Sequence, residues 1–230
     1  MKWYSDADGE LKPQSGTMPT TQIQKRSVLQ ERFGYRLFFQ ESLRTIRSTA
    51  ALLPSSRFLA TAMLEQVDFR KARTFVELGP GTGVITGEIL RRMSADSRLY
   101  TLEVNPNFVR HVKKHCRDRR LTVIEADAVG LLHELRLLRA GPVQAVISSL
   151  GLTGMTPLQR ARILESAEAC LAPSGVMTQF QYLQAPVPDW PNVPLRRFEE
   201  KMFLESYFSS VSAKLVLLNL PPAMVFTCRK

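Results

Sequence analysis

The sequence predicts an α/β fold: a seven-stranded, mostly parallel sheet flanked by helices and closed by an antiparallel C-terminal hairpin. Three observations carry that expectation. From residue 74 onward, short apolar runs alternate with segments of helical period, the pattern of a parallel sheet covered on both faces. A glycine cluster, Gly79-Pro80-Gly81-Thr82-Gly83, falls between the first run and the first helical segment. The last two runs, over 211–218 and 223–228, are joined by only a few residues. A parallel crossover needs about a dozen or more, so this pair is expected to be an antiparallel hairpin.

Taken in order, residues 1–22 are polar, carry Gly, Pro, Ser and Thr, and show no apolar period, as in a mobile tail. Residues 23–66 form an amphipathic helical extension. Within it Phe39, Leu43, Ile46, Ala50 and Leu53 recur at helical spacing while Arg44 and Arg47 point elsewhere. Upstream, Arg32, Phe33, Tyr35, Arg36, Leu37 and Phe38 are less cleanly separated, and Gly34 interrupts them. Pro54 ends the unit, and Ser55 or Ser56 caps a helix reaching about Glu65. The main domain spans 67–230. Its strands are expected over 74–78, 98–104, 121–125, 143–149 and 176–183, followed by the hairpin. Its helices are expected over 84–93, then after Asn105-Pro106 with Phe108, Val109, Val112 and Cys116 on one side, then over 131–138. A last helix starts at Thr156-Pro157 and buries Ile163, Leu164, Ala167, Cys170 and Leu171, before Pro173-Ser174-Gly175 turns the chain into the fifth strand. Residues 184–195, with Pro186, Pro188, Pro191 and Pro194 around Trp190, read as a stiff loop.

Length and composition narrow the classes. At 230 residues the chain has room for one full core, and 44% hydrophobic against 23% charged is the balance of a globular domain. No apolar run approaches the roughly 18 residues of a membrane-spanning helix, and the N-terminus lacks the apolar stretch of a signal peptide. Cys116, Cys170 and Cys228 are far apart and odd in number, which argues against a disulfide framework or zinc site and for the cytoplasm. His111 and His115 have the i, i+4 spacing of metal ligands, but no third ligand stands nearby, so no metal is expected. The net charge of +10 favours a polyanionic partner, either nucleic acid or an anionic membrane surface.

The glycine cluster carries the chemistry. Glycines at alternate positions let the backbone bend tightly and approach a ligand that a Cβ would push away. A dinucleotide loop would need a further glycine at position 84, where Val84 stands, and a phosphate-binding P-loop would need Gly-Lys-Ser/Thr. What remains, GxGxG, resembles the first motif of SAM-dependent (S-adenosylmethionine-dependent) methyltransferases with a Rossmann-like class I fold. Glu103, 20 residues past Gly83 at the end of the second strand, is placed to accept both ribose hydroxyls. The resemblance implies Asp127, with Ala128, near the adenine amino group, and Glu77 toward the cofactor's amino-acid end. The SAM site is thus expected to comprise Glu77, Gly79, Gly81, Thr82, Gly83, Glu103, Asp127 and Ala128.

Further segments resemble the bacterial phospholipid N-methyltransferases, which methylate phosphatidylethanolamine toward phosphatidylcholine. They are Leu53-Pro54-Ser55-Ser56, Val76-Glu77-Leu78-Gly79-Pro80-Gly81-Thr82-Gly83, Gln179-Phe180-Gln181-Tyr182 and Asn219-Leu220-Pro221-Pro222-Ala223. The similarity runs from about Phe38 to Cys228 and implies a peripheral enzyme on the inner face of the membrane, with an aminolipid substrate and no nucleic acid or obligate protein partner. The loop Ser148-Ser149-Leu150-Gly151-Leu152 has Gly151 where the family has proline. The headgroup therefore stays open between phosphatidylethanolamine and a relative such as an ornithine lipid. Tyr35 and Tyr182 are candidates to orient the amine and stabilise its growing charge, and equally to serve as packing. Ser148 and Ser149 offer hydroxyl acceptors.

The arginine-rich extension fits two roles, an interfacial helix on anionic lipid or a lid over the cofactor. The basic run Arg110-His111-Val112-Lys113-Lys114-His115-Cys116-Arg117 reads as a solvated helix face. Three other functions stand beside the lipid reading. One is an rRNA adenine methyltransferase, which would need an aromatic in the Ser149–Leu152 loop to stack an extruded base. The others are a small-molecule methyltransferase and a non-catalytic SAM-binding module.

Overall fold

The computed structural model of the chain describes residues 3–5, 11–13, 55–183, 200–219 and 221–230. The arginine-rich stripe, Tyr35 and the proline-rich loop over 184–195 lie outside the described residues. Two compact units divide the chain, Met1–Thr49 and Ala50–Lys230. In the first, β1 (Trp3–Ser5) and β2 (Leu11–Pro13) pair antiparallel. Both lie within the segment read as a mobile tail, and strands of three residues are too short to produce a readable period.

The second unit begins with α1 (Ser55–Leu64). That helix was expected to close the N-terminal extension. It instead belongs to the main core, where Leu59, Met63 and Leu64 pack with Phe75, Ile89 and Val225. The alternation then runs as expected through β3 (Thr74–Leu78), α2 (Val84–Arg92), β4 (Arg98–Glu103), α3 (Pro106–His115), β5 (Leu121–Glu125), α4 (Leu131–Leu137), β6 (Val143–Ser148), α5 (Pro157–Cys170), β7 (Leu171–Tyr182), β8 (Ser210–Val216) and β9 (Ala223–Arg229). A helical stretch over 200–205 precedes β8. The helices start where their caps dictate. Asn105 accepts from the Asn107 amide ahead of Pro106, and Thr156 with Gln159 forms a reciprocal capping box ahead of Pro157.

The sheet order is β5-β4-β3-β6-β7-β9-β8. Strands β3 to β7 are parallel, and β9 runs antiparallel to both β7 and β8. Strand β7 differs from expectation. It starts at Leu171, which pairs with Val143 before a register shift, so Pro173-Ser174-Gly175 is an irregularity inside the strand rather than a turn before it.

Side-chain alternation divides the core. Val76, Leu78, Val146 and Met177 face α4 and α5, while Phe75, Ala145, Ile147 and Val176 face α1 and α2. The order reverses at β3, whose neighbours β4 and β6 lead away in opposite directions. That switch point opens a crevice at the carboxyl ends of the strands.

One arginine ties the edge of this layer together. The Arg120 guanidinium donates to the carbonyls of Leu90 (2.7 Å), Met93 (2.8 Å) and Ser94 (3.3 Å) at the end of α2, and to the Asp118 carboxylate. It satisfies carbonyls the helix leaves open and complements the helix dipole. Arg120→Met should therefore lower the unfolding free energy by about 2 kcal/mol in urea titration. Arg91→Met, on the exposed side of the same helix, should change it by less than about 0.5 kcal/mol.

Candidate functional site

The crevice is built around the turn that follows β3. Gly79, Gly81 and Gly83 all have positive φ (71°, 53° and 83°), a region that side chains with a Cβ rarely adopt. Gly79 has a second requirement: a Cβ there would lie 2.9 Å from Leu150 Cδ2. Gly81 is different, because a Cβ there would project into open space, toward whatever the turn holds. The turn is tied on both sides. The Gly79 amide donates to Leu102 O of β4 (2.9 Å), and the Ser149 amide beyond β6 donates to Leu78 O (2.8 Å).

Two buried carboxylates stand beneath it. Glu77, 0% exposed, faces the α1–α2 side, where Thr86 Oγ1 donates to its Oε2 at 2.7 Å. Its Oε1 is buried with no partner among the described residues. Burial pushes the Glu77 carboxyl up to about 8, opposed by the Thr86 hydroxyl and reinforced by the charge of Glu103. Glu103, 2% exposed, accepts the Gly81 amide at 3.2 Å and the Asn105 amide at 2.9 Å, one on each oxygen. Burial raises its pKa as well, against the pull of those amides. Asp127 is exposed and caps the short 3-10 turn Ala128–Gly130 through the Val129 amide (3.0 Å), while Ala128 is buried beneath it. Thr82 is exposed at the tip of the glycine turn.

These groups fit SAM. The unpartnered Glu77 Oε1 suits its cationic amino group, the remaining lone pairs of Glu103 suit ribose hydroxyls, and the open space at Gly81 leaves room for backbone contact. All eight expected cofactor residues are brought to one end of the sheet. Two contacts of this site were not read from the sequence. Thr86 as the partner of Glu77 had a signal, a threonine in the first turn of the helix after the glycines. Leu150 packing onto Gly79 had none.

The expected acceptor residues gather less closely. Ser148 ends β6 and lies beside Gln179 in the register of β7, and Ser149 follows it. Tyr182 reaches the same end of the sheet on the opposite face, where it meets Phe180 edge-on (ring centroids 5.0 Å) and joins the α1–α2 core. Burial raises its phenol pKa, so it remains neutral at physiological pH. His111 and His115 stack at 4.1 Å on the surface of α3, whose last turn places Lys113, Lys114 and His115 against its own C-terminal carbonyls.

Comparison with known proteins agrees with this geometry. A family model described as a methyltransferase domain matches residues 75–175. An ornithine lipid N-methyltransferase from Singulisphaera acidiphila is 29% identical over 194 residues, 84% of this chain and 94% of that protein. The ribosomal RNA small subunit methyltransferase A of Dechloromonas aromatica is 32% identical over only 72 residues, 31% of this chain and 27% of that protein. Among solved structures, an O-methyltransferase from Bacillus cereus in complex with SAH (S-adenosylhomocysteine) superposes with a TM-score of 0.59 at 16% identity, covering 83% of this chain and 90% of that one. The chain spans about half the length of several other methyltransferase structures that it matches. The fold shared with these structures is the Rossmann-like class I fold.

Two outcomes are expected. Gly81→Val strains a positive-φ position and fills the open space, and Glu103→Ala frees the Gly81 amide. Each should weaken SAM binding at least about tenfold by calorimetric titration while far-ultraviolet circular dichroism is unchanged. Separately, the Glu77 pKa of the folded chain lies above the ordinary 4.5, so its contribution to stability is complete below that value and is lost as the pH rises through about 8. Glu77→Gln should flatten that decline when thermal unfolding is followed across the same range without ligand.

Proposed function

Because the chain is a SAM-dependent methyltransferase, we propose that its acceptor is the amine of a membrane-lipid headgroup. The observation that carries the proposal is the likeness to the ornithine lipid N-methyltransferase, which spans 84% of this chain and nearly all of that protein. The rRNA methyltransferase is matched over 31% of the chain. The loop beyond β6 argues the same way, since Ser149-Leu150-Gly151-Leu152 holds no ring to stack a base, and Leu150 and Leu152 are committed to the core.

Bound SAM supplies a methyl group already activated on a sulfonium. The residues of the chain then have to bind, align and exclude water. Glu77, Glu103 and Asp127 hold the two ends and the middle of the cofactor. Leu150, packed on Gly79, closes the apolar side of the crevice. Tyr182, packed in the α1–α2 core on the face opposite Ser148, keeps a neutral hydroxyl and supplies no base.

A lipid acceptor calls for an apolar, cationic approach at this same end of the sheet. Val216 and Tyr182 both pair with Ala223, so the turn joining β8 and β9 sits at the carboxyl ends of the parallel strands. At that turn Leu217 and Leu218 are 68% and 69% exposed. Helix α1 starts at the same end, because Gln66 just beyond it meets Arg229 at the far end of β9. Its first turns expose Arg57 and Phe58. No helix among the described residues is long and apolar enough to cross a membrane. We therefore assign this face, on a chain of net charge +10, to the surface of an anionic leaflet.

With methyl-labelled SAM, label is expected in vesicles of phosphatidylethanolamine or ornithine lipid and not in unmodified rRNA; label in the RNA alone would overturn the assignment. A double variant, Leu217→Ser with Leu218→Ser, should float with anionic vesicles several-fold less than the parent at unchanged SAM affinity. Flotation equal to the parent's would remove the hairpin turn from the membrane face.

A further inference from the structure

At and just beyond the carboxyl ends of β6 and β7 lie three buried polar atoms that the cofactor set does not use. They are Ser149 Oγ, Gln179 Oε1 and Gln181 Oε1, none with a hydrogen-bond partner among the described residues. Gln179 and Gln181 share one face of β7, and Gln179 lies beside Ser148 in the parallel register.

The orientation of Gln179 is settled by its own bonds. Its Nε2 donates to Leu150 O at 2.8 Å and to Phe180 O at 2.7 Å. Both partners are carbonyls and accept only, so the amide nitrogen must face them. The amide oxygen is then held on the opposite side, in a side chain 2% exposed, with nothing to accept. An oriented acceptor buried without a donor is costly unless a ligand supplies one. Leu150 touches both ends of the arrangement, its side chain against Gly79 and its carbonyl on the Gln179 amide.

We propose that Gln179 Oε1, together with Ser149 Oγ at the same strand ends, is the seat of the acceptor amine and receives its N–H groups. This rests on the aminolipid reading above. The chemistry of the pair suits a nucleophilic amine. A carboxylate in this position would favour the ammonium form and withdraw the lone pair that must be methylated. A neutral amide and a hydroxyl accept N–H from the amine with far less bias toward the protonated state. The seat also distinguishes amines by the hydrogens they carry. Primary and secondary amines offer an N–H in either protonation state and a tertiary amine while it is protonated, whereas a quaternary ammonium offers none, so a fully methylated headgroup loses this contact and is released.

The test compares Gln179→Met and Ser149→Ala with the parent. Short-chain phosphatidylethanolamine and phosphatidylcholine, and in parallel ornithine lipid and its trimethylated form, are used as competitors of labelled-lipid methylation. The parent is expected to bind each amine more tightly than its quaternary counterpart. Gln179→Met should weaken the amine by about 10-fold to 100-fold and leave the quaternary competitor within about twofold. Ser149→Ala, whose lost hydroxyl holds no other group, should shift the same ratio in the same direction by a smaller factor. SAM affinity, measured by calorimetry, should be unchanged in both, showing that the Leu150 contact on Gly79 is intact. If both competitors weaken equally, or the ratio is unmoved in both variants, the seat is wrong while the aminolipid reading stands. If the parent neither methylates nor binds any aminolipid, the reading beneath it has failed.

Discussion

Everything at this site depends on the carboxyl end of β3 being bonded on both sides at once. Leu78 O receives the Ser149 amide from the β6 side, and the Gly79 amide reaches Leu102 O on the β4 side. Two strand ends are thereby drawn to a backbone that has no side chain to keep them away. Leu150 occupies the volume a Cβ at Gly79 would need. The glycine turn is the point where the sheet closes up as well as a platform for a ligand, and the same absence of side chains serves both purposes.

The second constraint is electrostatic. A chain of net charge +10 places two carboxylates in its most buried crevice, 0% and 2% exposed. Among the described residues, neither is paired with an arginine or lysine. Glu77 leans on a hydroxyl, and Glu103 on two backbone amides. Both pKa values are raised by that burial. Such a site holds an unspent attraction for a cationic ligand with hydroxyl groups, and it explains why the acids are kept apart from the many basic residues of the surface.

The two sides of the sheet share the work unequally. The α1–α2 face holds Glu77, Thr86 and Tyr182, and the α4–α5 face holds Ser148, Gln179 and the loop residues Leu150 and Leu152. Leu150 bridges the two regions through one side-chain contact and one carbonyl. Outside the crevice, the β8–β9 turn and the start of α1 bring leucines, a phenylalanine and an arginine to the same end of the molecule. The crevice and the apolar turn lie at one end because an antiparallel hairpin added to a parallel sheet turns back where the parallel strands finish.

The fold was legible because its signals are local. Strands β3 and β5 end where the apolar runs over 74–78 and 121–125 end, since turn-forming residues bound them directly. The short link before Ala223 required a hairpin, the glycines and Glu103 pointed to a crevice by their spacing, and Asp127 was implied only by the family resemblance. What the tertiary structure decided involves partners far apart in the chain or on opposite faces. The early start of β7 follows from Leu171 finding Val143, 28 positions back, before the register shifts. Arg120 reaches carbonyls 26 to 30 residues away, and the Gln179 amide crosses 29 residues to Leu150. Tyr182 and Ser148 are equally plausible neighbours in sequence, and the alternation of side chains along adjacent strands places them on opposite faces. Sequence alone determined the sheet and the glycine turn that follows its first parallel strand, because period and spacing are properties of short segments. Which buried oxygen is left unpaired is a property of packing, and it exists only once distant segments have met.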